Sequence, residues 1–240
     1  EISLSKRVLQ QSLSATRRES LSRLFMPIEY DDKLGEGDFG RVYKVTPRDH
    51  SVYPLPHYAV KTQDMDMIAS RLDASMMKRN IKRELAAGFR VVDSPNVVKC
   101  HDHFINTDQS GTEMVIVMDL LPGKNFSKVL FEDFPDRCAH QPIPHMLSIM
   151  EQILVGLRDL DEQSLIHRDI KPDNIMVDIR DDGADVHFVD LGLCKPMYHE
   201  ASITATFDVG NPLYRAPECY PYSADARPNG SPPDQYGDPQ

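Results

Sequence analysis

The densest set of chemically capable residues lies in 166–177, IHRDIKPDNIMV, where His167, Arg168, Asp169, Lys171 and Asn174 precede an apolar Ile-Met-Val. A polar cluster of that kind reads as a short catalytic loop running into a strand. Asp169 can take a proton from an incoming hydroxyl, and Lys171 can neutralise charge on a transferring phosphoryl group. Asn174 and a second carboxylate, Asp190 in VDLGL, offer the hard oxygen ligands that divalent cations prefer.

The elements that must position these groups follow from pattern. From Ile28 onward, IEYDDKL and RVYKV read as two short strands around GEGDFG, whose Gly35, Gly37 and Gly40 permit close backbone approach and can cradle phosphates with main-chain amides. A dinucleotide-binding fold is the rival for such a glycine pattern. It requires a helix directly after the glycines, whereas β-favouring RVYKV follows here. Residues 46–57, with three prolines, read as an extended loop before the strand YAVK, which ends on Lys61. A helical stretch over 69–92 carries Glu84, and MVIVMDLLPG reads as a buried strand entering a turn. Residues 124–142 read as a short helix and a surface loop. Leu147, Met150, Ile153, Leu154, Leu157 and Leu160 recur at helical spacing within 143–165, so an amphipathic helix ends just before the catalytic loop. Two strands joined by the turn Asp181-Asp182-Gly183 then lead to Asp190.

Composition sets the bounds. The 240 residues, 40% hydrophobic, can bury a sizeable core. A net charge of −10 argues against broad nucleic-acid binding, so no nucleic-acid partner is expected. No run of 18 apolar residues occurs, so no transmembrane segment is expected. Cys100, Cys138, Cys194 and Cys219 form no C-x-x-C pair and read as reduced thiols of an intracellular, cytoplasmic protein. Cys100-His101-Asp102-His103 groups four potential metal ligands, but strand alternation leaves only His101 and His103 on one face, which speaks against a metal site. Residues 1–27 form a basic amphipathic helical extension by pattern; residues 1–28 hold five basic and two acidic side chains. The extension is expected either to pack on the main domain or to contact a partner or a membrane surface. Within it, Arg17-Arg18-Glu19-Ser20 has the form of a target for a basophilic kinase.

Taken in order, the glycine loop, Lys61, Glu84, HRDIKPDN, DLG and Ala216-Pro217-Glu218 closely resemble the motifs of eukaryotic protein kinases of the serine/threonine type. The resemblance covers about 28–220. It implies an α+β, bilobal kinase-like fold with an antiparallel β-sheet plus one helix in the N-lobe, 28–121 including a hinge, and a mostly helical, incomplete C-lobe over 122–220. The proline-rich tail 221–240 reads as disordered. Kinases continue with further helices, which contribute a usual arginine partner for Glu218. The expected cofactors are ATP and Mg2+, with a protein as substrate. Lys61 and Glu84 would position ATP, Asp190 and Asn174 would hold magnesium, Asp169 would orient the hydroxyl, and Lys171 would stabilise charge. Nucleotide contacts would come from Leu34, Gly35, Glu36, Gly37, Asp38, Phe39 and Gly40, from Val42 and Ala59, from the gatekeeper Met118 with Asp119 and Leu121 of the hinge, and from Met176.

Four departures from the family pattern stand out. Gly88 occupies a place usually held by a bulky apolar residue, for which Phe89 can substitute through a local bulge. Leu191 replaces the usual Phe of the metal motif, keeping an apolar contact, and Asn211 stands where a Thr normally bonds the catalytic aspartate and lysine. The chain also ends in that proline-rich tail where the family has helices. Lys171 favours serine or threonine over tyrosine substrates. Thr206, with Thr204 as its rival and Ser202 nearby, is the expected phosphorylation site, paired with Arg168 and Lys195. The alternative function is a kinase-like, nucleotide-binding regulatory module without activity.

Overall fold

The computed structural model describes residues 16–37, 40–65, 74–91, 93–108, 111–133, 145–196 and 210–216. Asp38 and Phe39, Ser202, Thr204 and Thr206, Pro217 and Glu218, and the tail 221–240 lie outside the described residues.

Strands β1 (Lys33–Gly37), β2 (Gly40–Val45), β3 (Tyr58–Asp64), β4 (Cys100–Asp108) and β5 (Gly111–Asp119) form one antiparallel sheet in the order β1-β2-β3-β5-β4. Period-two alternation sends Val115 and Val117 to one face and Met114 and Ile116 to the other, and all four are fully buried. Both faces are therefore covered. Helix α1 (Ala74–Arg90) packs Ile81 and Leu85 against Met114 and Ile116. Its sequence tolerates Gly88 because a Cβ there would lie 2.3 Å from the Cys100 sulfur. The helix is continuous across Gly88, so the bulge expected at Phe89 does not occur. Cys100 fills the space that the glycine leaves, and Phe89 instead meets the His103 ring at 5.7 Å.

The opposite face is covered by residues 17–28. The amphipathic helix expected for the extension shows, within the described residues, only the turn Leu21–Leu24. Ahead of that turn the chain runs extended beside β4, where Arg18 bridges Ile105 in parallel and the main chains of Arg17, Glu19 and Ile105 exchange hydrogen bonds of 2.9 and 3.0 Å. An open strand edge carries unpaired N–H and C=O groups, and here the extension meets that demand. Phe25 then turns into the core with Tyr53, Tyr58, Val60 and Phe104, so the extension and the sheet share one apolar cluster. Arg17 clamps the arrangement through Asp102 at 2.7 Å, an oxygen that also accepts from the Tyr53 hydroxyl at 2.6 Å.

Below the sheet, helix α2 (Met146–Glu162) packs on a three-stranded sheet of β6 (Lys124–Asn125), β8 (Ile175–Arg180) and β9 (Gly183–Phe188), ordered β6-β8-β9. A second pair joins β7 (Leu165–Ile166) to β10 (Lys195–Pro196). The buried stripe of α2 is Ile149, Ile153, Gly156 and Leu160. Leu147 and Leu154, expected on the apolar face, are 87% and 63% exposed. The buried face carries Gly156, where a Cβ would sit only 2.8 Å from the Phe188 ring. The two halves are joined through residues 96–98, which bond to Phe188 on both its main-chain groups, and through Ala87 and Val91, which belong to the lower core.

Phe25 is 0% exposed, so Phe25→Ala leaves a hole behind the sheet; a loss of about 3–5 kcal/mol in denaturant unfolding is expected. A change below about 1 kcal/mol would show that the extension is held elsewhere.

Candidate active site

Lys61 stands on β3 opposite Val42 of β2 and Ile116 of β5, and Ala59, two residues earlier, stands opposite Met118. Directly opposed residues in an antiparallel pair share a face, so Val42, Ala59, Lys61 and Met118 lie together. The Lys61 ammonium donates to Glu84 Oε1 at 2.5 Å and to Asp190 Oδ1 at 3.0 Å. Burial works against the charged amine, but the two carboxylates overcome it and raise the Lys61 pKa. The Asp190 carboxyl shows the mirror image. Burial favours its neutral form, yet Lys61 holds its pKa below the ordinary value. Gln63, on the same strand face as Lys61, donates to Glu84 Oε2 at 3.1 Å, so both Glu84 oxygens are occupied. The signal for Gln63 was the strand period itself, two residues past Lys61.

The lower part of the site is a closed network around Asp169. Lys171 donates to Asp169 Oδ2 at 2.8 Å, and the Asn174 amide donates to the same oxygen at 2.7 Å and to the Asp169 carbonyl at 2.9 Å. Oδ1 accepts from the main-chain N–H of Asn211 at 3.2 Å. The Asn211 side chain does not take the part of the threonine it replaces. Its Oδ1 accepts from Leu213 N–H at 2.9 Å, capping the short turn Pro212–Tyr214. Gly210 allows this docking, with φ +85° and a Cβ position only 2.4 Å from the Arg168 carbonyl. Behind Asp169 lies the buried ring of His167, whose Nδ1 accepts from the Asp169 N–H at 3.3 Å. Burial lowers the His167 pKa against the pull of Asp190 and Asp169, so the ring is neutral with its proton on Nε2.

The glycine loop is placed by register. Gly37 pairs with Gly40, leaving Asp38 and Phe39 as the connecting pair outside the described residues. Gly40 is required because a Cβ would strike the Thr62 carbonyl at 2.1 Å. Leu34 is half exposed, Gly35 pairs with Val42, and Glu36 is held by Lys33 and by Arg41 at 3.2 Å. Asp119 and Leu121 lie at and just beyond the end of β5, and Met176 lies on β8 between the core residues Ile175 and Val177. Asp190 and Asn174 fit a divalent cation by their chemistry. Asp190 is 50% exposed and bonds Lys61 through Oδ1, while the Asn174 bonds to Asp169 use its Nδ2, so each offers an oxygen. Cys100-His101-Asp102-His103 does not gather into a ligand set, and no group of three or more such side chains does so among the described residues. No described helix is long and apolar enough to cross a membrane. Cys100 and Cys194 are free and buried, and burial pushes each thiol up to about 12. Cys138 and Cys219 lie outside the described residues.

Comparison with known proteins agrees with this arrangement. Residues 28–236 match the protein kinase domain. The human serine/threonine-protein kinase Nek10 is 31% identical over 210 residues, covering 83% of this chain and 17% of the relative. Mouse Nek2 is 28% identical over 80% of this chain and 42% of the relative, and fray1 of Dictyostelium discoideum is 28% identical over 88% and 35%. The chain thus spans less than half the length of these curated relatives. Sheet, helix, paired lysine and carboxylate network agree with the family match, and the chain belongs to the protein kinase family, of the eukaryotic serine/threonine type.

Proposed function

We propose that this chain is the catalytic part of an ATP-dependent protein kinase that transfers the γ-phosphoryl group to serine or threonine hydroxyls of proteins. The observation that carries the reading is the double ion pair of Lys61 with Glu84 and Asp190, standing beside the fully bonded Asp169. Glu84 anchors the ammonium so that its charge faces the phosphates. Magnesium held by Asp190 and Asn174 would neutralise phosphate charge. Asp169 is fixed at both oxygens, which orients its lone pairs toward an acceptor hydroxyl. As the hydroxyl oxygen bonds to the γ-phosphorus and the bond to the β-phosphate oxygen breaks, Asp169 receives the hydroxyl proton. Lys171, 2.8 Å from Asp169, is placed to balance charge on the moving phosphoryl group. The main-chain N–H of Asn211 bonds Asp169 Oδ1 at 3.2 Å, and a carboxylate held at both oxygens supports activity over a silent nucleotide-binding module.

Regulation follows from charge. Burial lowers the Lys195 pKa, and the positive charges of Arg168 and Arg83 lower it further. A phosphate on Thr206 would relieve that repulsion and order the segment through charge-assisted hydrogen bonds.

Two experiments test this. Asp169→Asn is expected to reduce turnover by about 10²–10⁴-fold with little change in nucleotide affinity, whereas Lys61→Met is expected to weaken the handling of nucleotide as well. Steady-state kinetics with a protein acceptor reads the contrast, and an Asp169→Asn variant with full turnover would displace the aspartate from its role. For regulation, mass spectrometry of active protein should find phosphate on Thr206, and Thr206→Ala should lower activity. An unmodified peptide together with a fully active alanine variant would move the control elsewhere.

A further inference from the structure

Strand β4 carries an irregularity that the catalytic reading does not use. Cys100 pairs with Met118 and Asp102 with Val117, so two steps on β4 oppose one on β5 and His101 is the extra residue of a bulge. A bulge breaks the alternation of faces and re-aims a side chain. Here it divides the run Cys100-His101-Asp102-His103 between the two faces of the sheet. Cys100 and His103 point toward α1, while His101 joins Asp102 on the face of Tyr53 and Tyr58. The imidazole stands edge-on to Tyr58 at 5.1 Å and places Nε2 2.6 Å from Asp119 Oδ1.

Asp119 is the last residue of β5, where the chain leaves the sheet for the lower half. It is gripped twice by one short segment. Its main-chain N–H donates to the Lys99 carbonyl at 3.0 Å, and its carboxylate is held by His101. Between those two contacts sits Cys100, whose sulfur fills the place opposite Gly88 on the helix that carries Glu84. The carboxylate also acts on His187 of β9, so Asp119 lies at the junction of the two halves.

We propose that His101 is a positioning residue for the nucleotide site, holding the end of β5 in the geometry that receives the base. The inference rests on the reading of 119–121 as the nucleotide-contacting hinge. An unheld Asp119 carboxylate at this half-buried strand end would seek solvent and drag the strand end with it, and the nucleotide would have to restore the geometry on binding. Counted back from His103, regular alternation would turn His101 toward α1, and the bulge leaves it instead beside Asp102 on the face of Tyr58.

The test is calorimetric binding of the non-hydrolysable analogue AMP-PNP with Mg2+ to the full chain. His101→Phe keeps the ring against Tyr58 but loses the polar contact, and an affinity about tenfold weaker is expected. His101→Gln, whose amide nitrogen can reach a similar point, should restore most of the affinity, which a role in packing alone would not predict. Asp119→Ala, which removes the acceptor, should lose about as much as His101→Phe, and the double variant should lose no more than either alone. Binding by His101→Phe as tight as the unaltered chain, or full additivity of the two losses, would overturn the inference. Should His101→Phe fail to fold, Asp119→Ala with unaltered affinity overturns it equally. If the unaltered chain binds no analogue, the nucleotide reading itself falls and carries this inference with it.

Discussion

One ammonium group determines how the two halves must sit. Lys61 leaves a strand of the upper sheet, takes Glu84 from helix α1 and reaches Asp190 on the lower half. A buried cation is costly unless its partners are well placed, and a buried carboxylate without its cation is equally costly. Glu84 is 7% exposed and Asp190 50%, so the two partners differ in kind. The first is a permanent anchor, sealed by Gln63. The second remains open on one side and can exchange part of its attachment for a ligand. Helix α1, β3 and the DLG turn are therefore not free to settle independently, because each supplies one charge of the same triad.

Around Asp169 the constraint takes another form. Its two oxygens accept bonds from Lys171, Asn174 and the main chain of Asn211, and its N–H is bound to His167. Three of those four partners come from the same short loop, so the loop is largely self-organised. The fourth comes from far along the chain and depends on Gly210 passing within contact of Arg168. The Asp169 carboxylate is thus held mostly by its own loop yet depends on where one late turn docks. That turn is stabilised by the Asn211 side chain, which is why an asparagine serves here although its reach differs from that of threonine.

Much of this was legible in the sequence because chemistry and spacing coincided. Lys61 contacts Glu84 and Asp190, Asp169 contacts Lys171 and Asn174, and α2, β8 and β9 follow from hydrophobic period and turn residues. What escaped was decided by shape. Nothing in the period of α2 announces that Gly156 would face the Phe188 ring while Leu147 and Leu154 stand exposed. A bulge is invisible to alternation by construction, so His101 and His103 were expected on one face and stand on two. The extension misled for a related reason. Its apolar spacing suited a helix, but over the described residues from 16 onward a strand edge and the aromatic cluster behind the sheet take the chain instead.

That extension also separates two things often treated as one. The unit recognisable by kinship begins at residue 28, whereas the unit that excludes water begins at least as early as Arg17, because Phe25 is part of the sheet's own interior. Cutting the chain where the family likeness starts would therefore not release a self-sufficient body. It would leave a sheet with one face stripped, an aromatic-sized gap beside Tyr53 and an open edge along β4. The family match marks the chemistry, and the solidity of the matched part depends on a strap that lies ahead of it.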